Sequence, residues 1–274
     1  MNKMFAKISK LPNRVILKLL KYTNISLFAI AVFSLIYYWY HFIKDDITVW
    51  SLYFSIFLAF LSLYLVFLNT KFYQRVLDYI LVYNVDLKKY LDIHNLMFQK
   101  ASQTSKEQQQ NIFLFTEGQV KYYKGQFQES MINMSMIDDT RMQEKYRVKF
   151  LLRKYNFELL CCIFQCNIEL YHQLKLELTG LALSLPSDKG LQENILEVVE
   201  AVYNLVIKKV NTDYFDKHES KNKLERITYT YYAALNAQLK GEEARTRELF
   251  ESIAQENPEL FYVQEARKYL KGEQ

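Results

Sequence analysis

The stretch ISLFAIAVFSLIYYWYHFIKDDITVWSLYFSIFLAFLSLYLVFL, residues 25–68, decides the fold of the N-terminal part of the chain. Residues 25–43 and 47–68 contain no Asp, Glu, Lys or Arg, and each run is close to the ~20 apolar residues that cross a bilayer core. Residues 44–46, which separate the runs, are too few for anything except a tight turn. The sequence therefore predicts two antiparallel transmembrane helices that form a hairpin over residues 25–69.

The flanks of this hairpin predict its orientation. Residues 1–24 carry six Lys or Arg and no acid, and Lys71 and Arg75 follow the second run, whereas the turn has one cation and two acids. Lys and Arg are enriched in cytoplasmic loops, so the flanks are expected on the cytoplasmic side. Trp is enriched at the membrane surface, and Trp39 and Trp50 flank the turn, which places the turn at one membrane face. We expect a multi-pass protein of the cell membrane with both termini in the cytoplasm. A cleaved signal peptide fits poorly, because the first run is too long and ends in bulky aromatic residues.

Residues 1–24 form a basic cytoplasmic arm that accounts for the formal net charge of +5, since the remaining chain carries 29 Lys and Arg against 30 acids. Apolar residues recur at helical spacing over residues 14–22, which favours either an interfacial helix beside anionic lipid or a disordered topology signal. A nearly neutral remainder lacks the basic face of a nucleic-acid-binding protein, so no nucleic-acid partner is expected. The lipid bilayer is the expected partner of the arm and the hairpin.

The region after the hairpin divides into a stalk and a linker. An apolar stripe at helical spacing continues past the second run and predicts a stalk helix over residues 70–98. Residues 99–111, QKASQTSKEQQQN, lose almost all apolar character and predict a linker. We therefore expect a separate cytoplasmic domain over residues 112–274.

The C-terminal region reads as helical throughout. It shows amphipathic stretches and no clear alternation of apolar and polar residues, which predicts an all-α fold. The break at residues 186–190 offers Ser187 or Asp188 as an N-cap. Residues 211–223 are polar and favour a loop or a short helix. The predicted helices cover residues 107–123, 126–139, 144–164, 166–183, 191–209, 224–240, 242–256 and 258–271.

The stretch YYKGQFQESM, residues 122–131, places Gly125 between two predicted helices. A tight turn between paired helices needs a residue that tolerates positive φ, and we expect Gly125 to supply it. The same pattern recurs near the C-terminus with identical spacings of seven, five, four and three residues. The matching positions are Gly118, Gly125, Ser130, Met134 and Ile137 in the first copy, and Ala234, Gly241, Thr246, Phe250 and Ile253 in the second, which Pro258 follows five residues on.

This register resembles the tetratricopeptide repeat, a unit of two paired helices. The family's early Trp is replaced by Leu114 and Thr230, and its mid-helix Leu by Glu117 and Ala233. The two copies cover roughly a quarter of the chain, and their separation does not fit a whole number of units of about 34 residues. A compact helical bundle is the alternative. The resemblance implies repeat-packing roles for Gly118, Gly125, Ser130, Ala234, Gly241, Thr246, Phe250 and Pro258.

The resemblance also implies a binding surface, because the inner face of each first helix in such repeats usually carries recognition. The residues implied are Gln119, Tyr122 and Tyr123 in the first copy, and Tyr231, Leu235 and Gln238 in the second. Exposed aromatic side chains there suit a protein or peptide partner. The alternative is that several of these tyrosines belong to the core between repeats.

Other patterns weigh against an enzyme or a metal site. Cys161, Cys162 and Cys166 lie near His172, but the paired spacing typical of zinc sites is missing, so buried free cysteines are favoured over a metal. The sequence has no Gly-rich phosphate loop, Ser-centred elbow or HExxH motif. We expect no catalytic residues, no metal and no cofactor, although an active site without a sequence pattern stays open.

The second span carries small residues on one face, Ser51, Ser55, Ala59 and Ser62. Such a face permits close helix contact. It either packs within the hairpin against Ala29, Ala31 and Ser34, or contacts another membrane protein, including a second copy of the chain.

Together these patterns predict a membrane-anchored, cytoplasm-facing helical-repeat adaptor that binds a protein or peptide at the inner membrane face. The alternative is a regulatory or protective, immunity-type subunit of a membrane transporter or enzyme complex that acts through its hairpin.

Overall fold

A computed structural model describes residues 2–44, 49–140, 142 and 144–273. In these residues every regular element is a helix, and the predicted all-α fold class is confirmed. The chain divides into two compact units, Met1–Asn84 and Val85–Gln274.

The first unit contains helices α1 (Asn2–Ser9), α2 (Asn13–Ile43) and α3 (Val49–Val82). Helices α2 and α3 are both long and apolar enough to cross a membrane, and most of their apolar side chains are exposed. The predicted pair of apolar helices is confirmed. Residues 45–48, which hold most of the predicted turn and the start of the second span, lie outside the described residues.

The basic arm differs from its prediction. Residues 14–22 are neither a separate interfacial helix nor irregular, because they form the first turns of α2, which runs unbroken from Asn13 to Ile43. Pro12 precedes this helix, and no Gly or Pro interrupts it. A further short helix, α1, packs on α3, where the ring centroids of Phe5 and Phe72 are 5.1 Å apart.

Polar pairs connect the helices of the first unit. Asn69 Nδ2 donates a hydrogen bond to Asn24 Oδ1 at 2.8 Å between α3 and α2. Asn84 Nδ2 donates to Ser9 Oγ at 2.9 Å. An interhelical amide pair fixes the register of two apolar helices, because any slip separates the two polar groups.

The buried faces of α2 and α3 follow spacings of three and four residues. On α2 the buried residues include Ala31 and Ser34, and on α3 they include Ser55 and Ser62. This spacing is the packing pattern of antiparallel coiled coils. Ser51 and Ala59 on α3, and Ala29 on α2, are half-buried. The predicted small-residue face is therefore largely covered within the hairpin.

The predicted stalk helix over residues 70–98 is wrong as one continuous element. Helix α3 ends at Val82, Val85 adopts a left-handed backbone with φ of 55°, and α4 begins at Leu87. Asp86 caps α4 by accepting a hydrogen bond from Lys89 N at 2.9 Å. The Asn257 side chain donates to Val85 O at 2.7 Å and holds the left-handed residue in place. The apolar stripe crosses the break because both helices bury one face.

The predicted linker over residues 99–111 is also wrong. A 3₁₀ turn occupies Gln103–Ser105, and α5 begins at Lys106. Helix α4 packs on α5, where the rings of Phe98 and Phe113 stack at 5.5 Å. The polar composition reflects exposed first turns of α5 rather than a boundary. The second unit therefore begins at Val85 and not at residue 112.

The second unit consists of paired helices. Pro186 begins α9, so the predicted break at residues 186–190 is helical and neither Ser187 nor Asp188 is its N-cap. Pro fits the first helical position, where its missing N–H would be unbonded in any case. The elements are α4 (Leu87–Gln99), α5 (Lys106–Tyr123), α6 (Phe127–Ser135), α7 (Glu144–Phe164), α8 (Ile168–Thr179), α9 (Pro186–Tyr203), a π-helical turn (Asn204–Lys208), α10 (Tyr214–Lys217), α11 (Lys223–Leu239), α12 (Glu243–Ala254) and α13 (Phe261–Lys271).

The two predicted glycine turns are confirmed. Gly125 and Gly241 adopt φ of 79° and 74°. Gly125 N bonds Tyr122 O, and Gln126 N bonds Lys121 O, which is a Schellman ending of α5. The same pair of bonds ends α11 at Gly241. Both glycines join antiparallel helix pairs, α5 with α6 and α11 with α12.

A third hairpin repeats this geometry without a glycine. Cys166 adopts φ of 54° after α7, with Cys166 N bonded to Ile163 O and Asn167 N bonded to Cys162 O. Helices α7 and α8 pack together as the other pairs do. The glycine pattern in the sequence does not reveal this unit, because Cys166 takes the place of glycine at the turn.

Candidate partner-binding surface

The inner-face tyrosines are buried. Tyr122 and Tyr231 are 2% and 5% exposed. The hydroxyls of Tyr122 and Tyr262 lie 2.7 Å apart and share a hydrogen bond between α5 and α13. The ring of Tyr231 packs 5.2 Å from that of Tyr262. The prediction that Tyr122 and Tyr231 are exposed to a partner is wrong, because α13 covers them.

The other predicted binding residues do not form an open surface either. Gln119, Tyr123 and Leu235 are half-buried, and only Gln238 is exposed. The Tyr123 ring lies 5.9 Å from that of Phe157 on α7. Burial raises the pKa of Tyr123 to about 12, so its hydroxyl stays protonated at neutral pH.

An aromatic cluster joins the helix pair α5–α6 to α13. Phe261 of α13 packs edge-on against Phe127 and Phe164, at 5.2 Å in each case. A Cβ added at Gly125 would lie 2.8 Å from Phe261 Cδ2. Lys124 Nζ also lies 3.5 Å from Glu259 Oε2. An open solenoid would leave this inner face free, whereas here the chain's own C-terminal helix occupies it.

The tyrosine hydroxyls beneath this cluster are shielded from water. Burial raises the pKa of Tyr122 and Tyr262 well above the ordinary value for tyrosine. Tyr232 OH and Gln119 Oε1 are buried without a hydrogen-bond partner among the described residues. This part of the interior is therefore polar but closed.

Of the repeat-packing positions, Gly125 and Gly241 form the turns and Pro258 lies outside the pairs, while the others lie inside the helix pairs. Ser130 Oγ donates to Gly118 O at 2.8 Å, and a Cβ at Gly118 would meet Met134 Cε at 2.8 Å. In the second pair Ala234, Thr246 and Phe250 are buried. Pro258 is exposed and precedes α13 by three residues, so it does not pack in the core.

An exposed apolar pair lies at the C-terminal end of α6, where Ile132 is in the last turns and Met136 is the C-cap. Ile132 and Met136 are 51% and 61% exposed, and their spacing of four residues keeps them on the same side because the C-cap retains a helical backbone. Exposed Glu129 and Ser135 flank them. The repeat resemblance does not point to this pair, because it implies recognition by the first helix of each unit and α6 is a second helix.

A cleft of about 470 Å³, lined by both charged and apolar side chains, lies between α8, α9 and the start of α10. Two of its charged lining residues pair, since Lys175 Nζ lies 2.6 Å from Glu200 Oε2. Lys208, which does not line the cleft, also lies close, with Nζ 3.4 Å from Glu200 Oε1. Hydrogen bonds from Lys175 and then Lys208 hold the pKa of Glu200 below its ordinary value. Neither Cys nor His lines this cleft.

The three cysteines differ in burial and therefore in thiol reactivity. Cys161 and Cys162 are buried in α7, and burial raises their pKa to about 12 and about 11, which keeps them as unreactive thiols. Cys166 is exposed at the turn, and His172 is exposed on α8. Among the described residues no three His, Cys, Asp or Glu side chains could hold a metal together.

Besides Tyr232, two titratable groups in the second unit are buried without full hydrogen bonding among the described residues. His94 on α4 is 9% exposed, neither ring nitrogen has a partner among the described residues, and burial lowers its pKa to about 4. Glu158 on α7 pairs with Lys154 at 3.0 Å, yet burial still raises its pKa. Burial therefore opposes the charged form of both side chains.

A groove of about 780 Å³ runs between α2 and α3 in the first unit. Aromatic rings of Phe33, Tyr37, Tyr40 and Phe54 line it together with serine side chains.

In comparisons with known proteins, no family model, curated protein or solved structure matches the chain.

Proposed function

We propose that the protein is a membrane-anchored, cytoplasm-facing helical-repeat adaptor that binds a protein or peptide partner at the inner membrane face. One observation supports this most: two exposed apolar helices of spanning length precede a separately compact unit of helix pairs that share one turn geometry. The repeated Schellman turns and matched registers are consistent with a tetratricopeptide-like array. Anchoring raises the effective concentration of a binding surface for membrane-proximal partners without adding contacts.

The binding surface we propose is the outer face of α6 rather than the inner face. Ile132 in α6 and Met136 at its C-cap present apolar side chains to solvent, while the other face of the helix is packed. Met adapts its shape to different partners, and a flexible thioether suits an apolar anchor from a peptide or helix. Tyr122 and Tyr231 cannot serve, because they fill the core.

The test is recovery of a partner from detergent-solubilised membranes. The variant carrying both Ile132→Lys and Met136→Lys should lose the recovered partner, because two charges replace the apolar anchor site. Val210→Lys is the matched control, since Val210 is an isolated apolar side chain that is also 51% exposed. Equal recovery with the double variant and the control would remove the α6 surface from the proposal.

A second candidate function is a regulatory or protective, immunity-type subunit of a membrane transporter or enzyme complex. The groove between α2 and α3 favours it, because an adaptor that only needs an anchor has no use for a shaped surface inside the bilayer. Exchange of residues 25–69 for an unrelated two-span anchor separates the two. Retained function supports the adaptor, and lost function supports the subunit.

A further inference from the structure

The groove between α2 and α3 has a shape and chemistry that the anchor role does not require. It lies toward the turn end of the hairpin and extends over residues 30–40 of α2 and 51–58 of α3. Its walls are large aromatic side chains, of which Phe33 and Phe54 are 70% and 62% exposed. Ser34, Ser51 and Ser55 also line it.

One of these serines has no hydrogen-bond partner among the residues that the structure describes. Ser55 is 3% exposed, lines the groove, and makes no hydrogen bond to a residue that the structure describes. Ser34 differs, because its Oγ donates to Ala31 O at 2.8 Å. In hydrocarbon no water is present to satisfy a free hydroxyl, so a partner group at this position would be stabilising.

The depth of Ser55 limits what can supply that group. Ser55 follows the start of the second predicted span by eight residues, which is about 12 Å along a helix axis. Phospholipid headgroups lie outside the hydrocarbon, and acyl chains have no hydrogen-bonding groups. A side chain on another transmembrane helix can carry a donor or acceptor to this depth.

The groove also continues an established interface. Ser34 and Ser55 belong to the same series of buried residues as Ala31 and Ser62, which pack α2 on α3. Small residues allow helix backbones to approach closely in membranes. A third helix placed in the groove would therefore extend the existing helix packing.

A second copy of the chain is a poor occupant. A two-fold axis through this surface would bring one groove to face the identical groove of its partner. Two concave surfaces leave the space between them unfilled, whereas a single helix presents a convex ridge.

We propose that this groove binds a transmembrane helix of a different protein, and that this helix carries a Ser, Thr, Asn or Gln that hydrogen-bonds Ser55. The inference rests on the proposed membrane insertion and gives the second candidate function its contact surface. The hydrogen-bonding residue of the bound helix should lie in the leaflet nearest the hairpin turn.

The test is site-specific photo-crosslinking of the full chain in its native membranes. A photoreactive phenylalanine derivative replaces Phe54, which lines the groove, or Phe60, which is 68% exposed on the same helix but does not line it. We expect one discrete adduct from position 54 that maps to a transmembrane segment containing a hydrogen-bonding residue, and none from position 60. Alkaline carbonate extraction of the same membranes tests insertion independently.

Paired serine variants then test the hydrogen bond. Ser55→Ala should lower the yield of the adduct about threefold, the effect of one average interhelical hydrogen bond. Ser62→Ala is the control, because Ser62 is also buried in α3 but does not line the groove.

Four outcomes would overturn the inference: an adduct between two copies of the chain, adducts with lipid only, equal yields from positions 54 and 60, or equal effects of the two serine variants. Release of the chain by carbonate would instead overturn the membrane insertion on which both proposals depend.

Discussion

Substitution of the two turn glycines by alanine should separate the cost of a left-handed backbone from the cost of contact with α13. Gly125 and Gly241 have nearly equal φ, 79° and 74°, and end their helices with the same hydrogen bonds. A Cβ in this conformation costs about 1–2 kcal/mol. At Gly241 a Cβ would meet nothing within 4 Å, so Gly241→Ala should destabilise the second unit by that amount alone.

Gly125→Ala carries an additional penalty. Its Cβ would lie 2.8 Å from Phe261 Cδ2 and 3.3 Å from Phe261 Cβ, and Phe261 is itself held between Phe127 and Phe164. Overpacking of this kind costs about 1–3 kcal/mol. The total for Gly125→Ala is therefore about 2–5 kcal/mol.

The buried thiols of Cys161 and Cys162 provide the assay. In detergent, a thiol-reactive fluorophore should label them only when the second unit opens, and Cys166→Ser removes the exposed thiol from the background. If opening is in rapid equilibrium, Gly125→Ala should label roughly 5- to 150-fold faster than Gly241→Ala, because each 1.4 kcal/mol is a factor of ten.

A double-mutant cycle supplies the refutation. In a Phe261→Ala background, the part of the Gly125→Ala destabilisation that comes from contact with Phe261 should disappear. The destabilisation caused by Gly241→Ala should be unchanged. Equal effects of the two glycine variants in the parent chain would contradict the packing of α13 against the turn between α5 and α6.

Three further predictions use other features. Cys166→Gly should stabilise the second unit by about 1 kcal/mol relative to Cys166→Ser, measured by the same fluorophore assay, since only the left-handed turn residue changes. Asn69→Leu should lower the concentration of SDS that unfolds the hairpin, followed by the fluorescence of its two tryptophans, because it breaks the bond to Asn24 worth about 0.6–2 kcal/mol. Since burial lowers the pKa of His94 from 6.5 to about 4, the folded state excludes its proton; stability should be complete above pH 6.5 and fall by about 3 kcal/mol as the pH drops toward 4. His94→Phe should flatten this slope in denaturant titrations.

The parts of the fold that the sequence predicted are those with a strong local cause. Residues 25–43 and 47–68 carry no charge, and such long apolar helices follow from composition alone. Gly125 and Gly241 were identifiable because few other residues accept positive φ. Where a residue other than glycine takes that conformation, as Val85 and Cys166 do, the sequence carries no signal. The break before α4 and the third hairpin were missed for this reason.

The site was harder to predict because it depends on long-range contacts. Tyr122 and Tyr262 share a hydrogen bond although they are 140 residues apart in the sequence. No local sequence pattern predicts that α13 covers the inner face of α5 and α11. A tyrosine on a first helix looks the same in an open repeat array and in a closed one. Asn24 and Asn69 present the same difficulty, since each is an ordinary polar residue until the antiparallel register brings the two together.

The central claim is that the hairpin holds the helical unit on the cytoplasmic side of the membrane, and Cys166 tests it directly. Cys161 and Cys162 are buried in the folded chain, so a membrane-impermeant maleimide should report Cys166 alone. We expect no labelling in intact cells, full labelling in inverted membrane vesicles, and none in either preparation of the Cys166→Ser variant. Labelling of Cys166 in intact cells to the same extent as in inverted vesicles would contradict the claim.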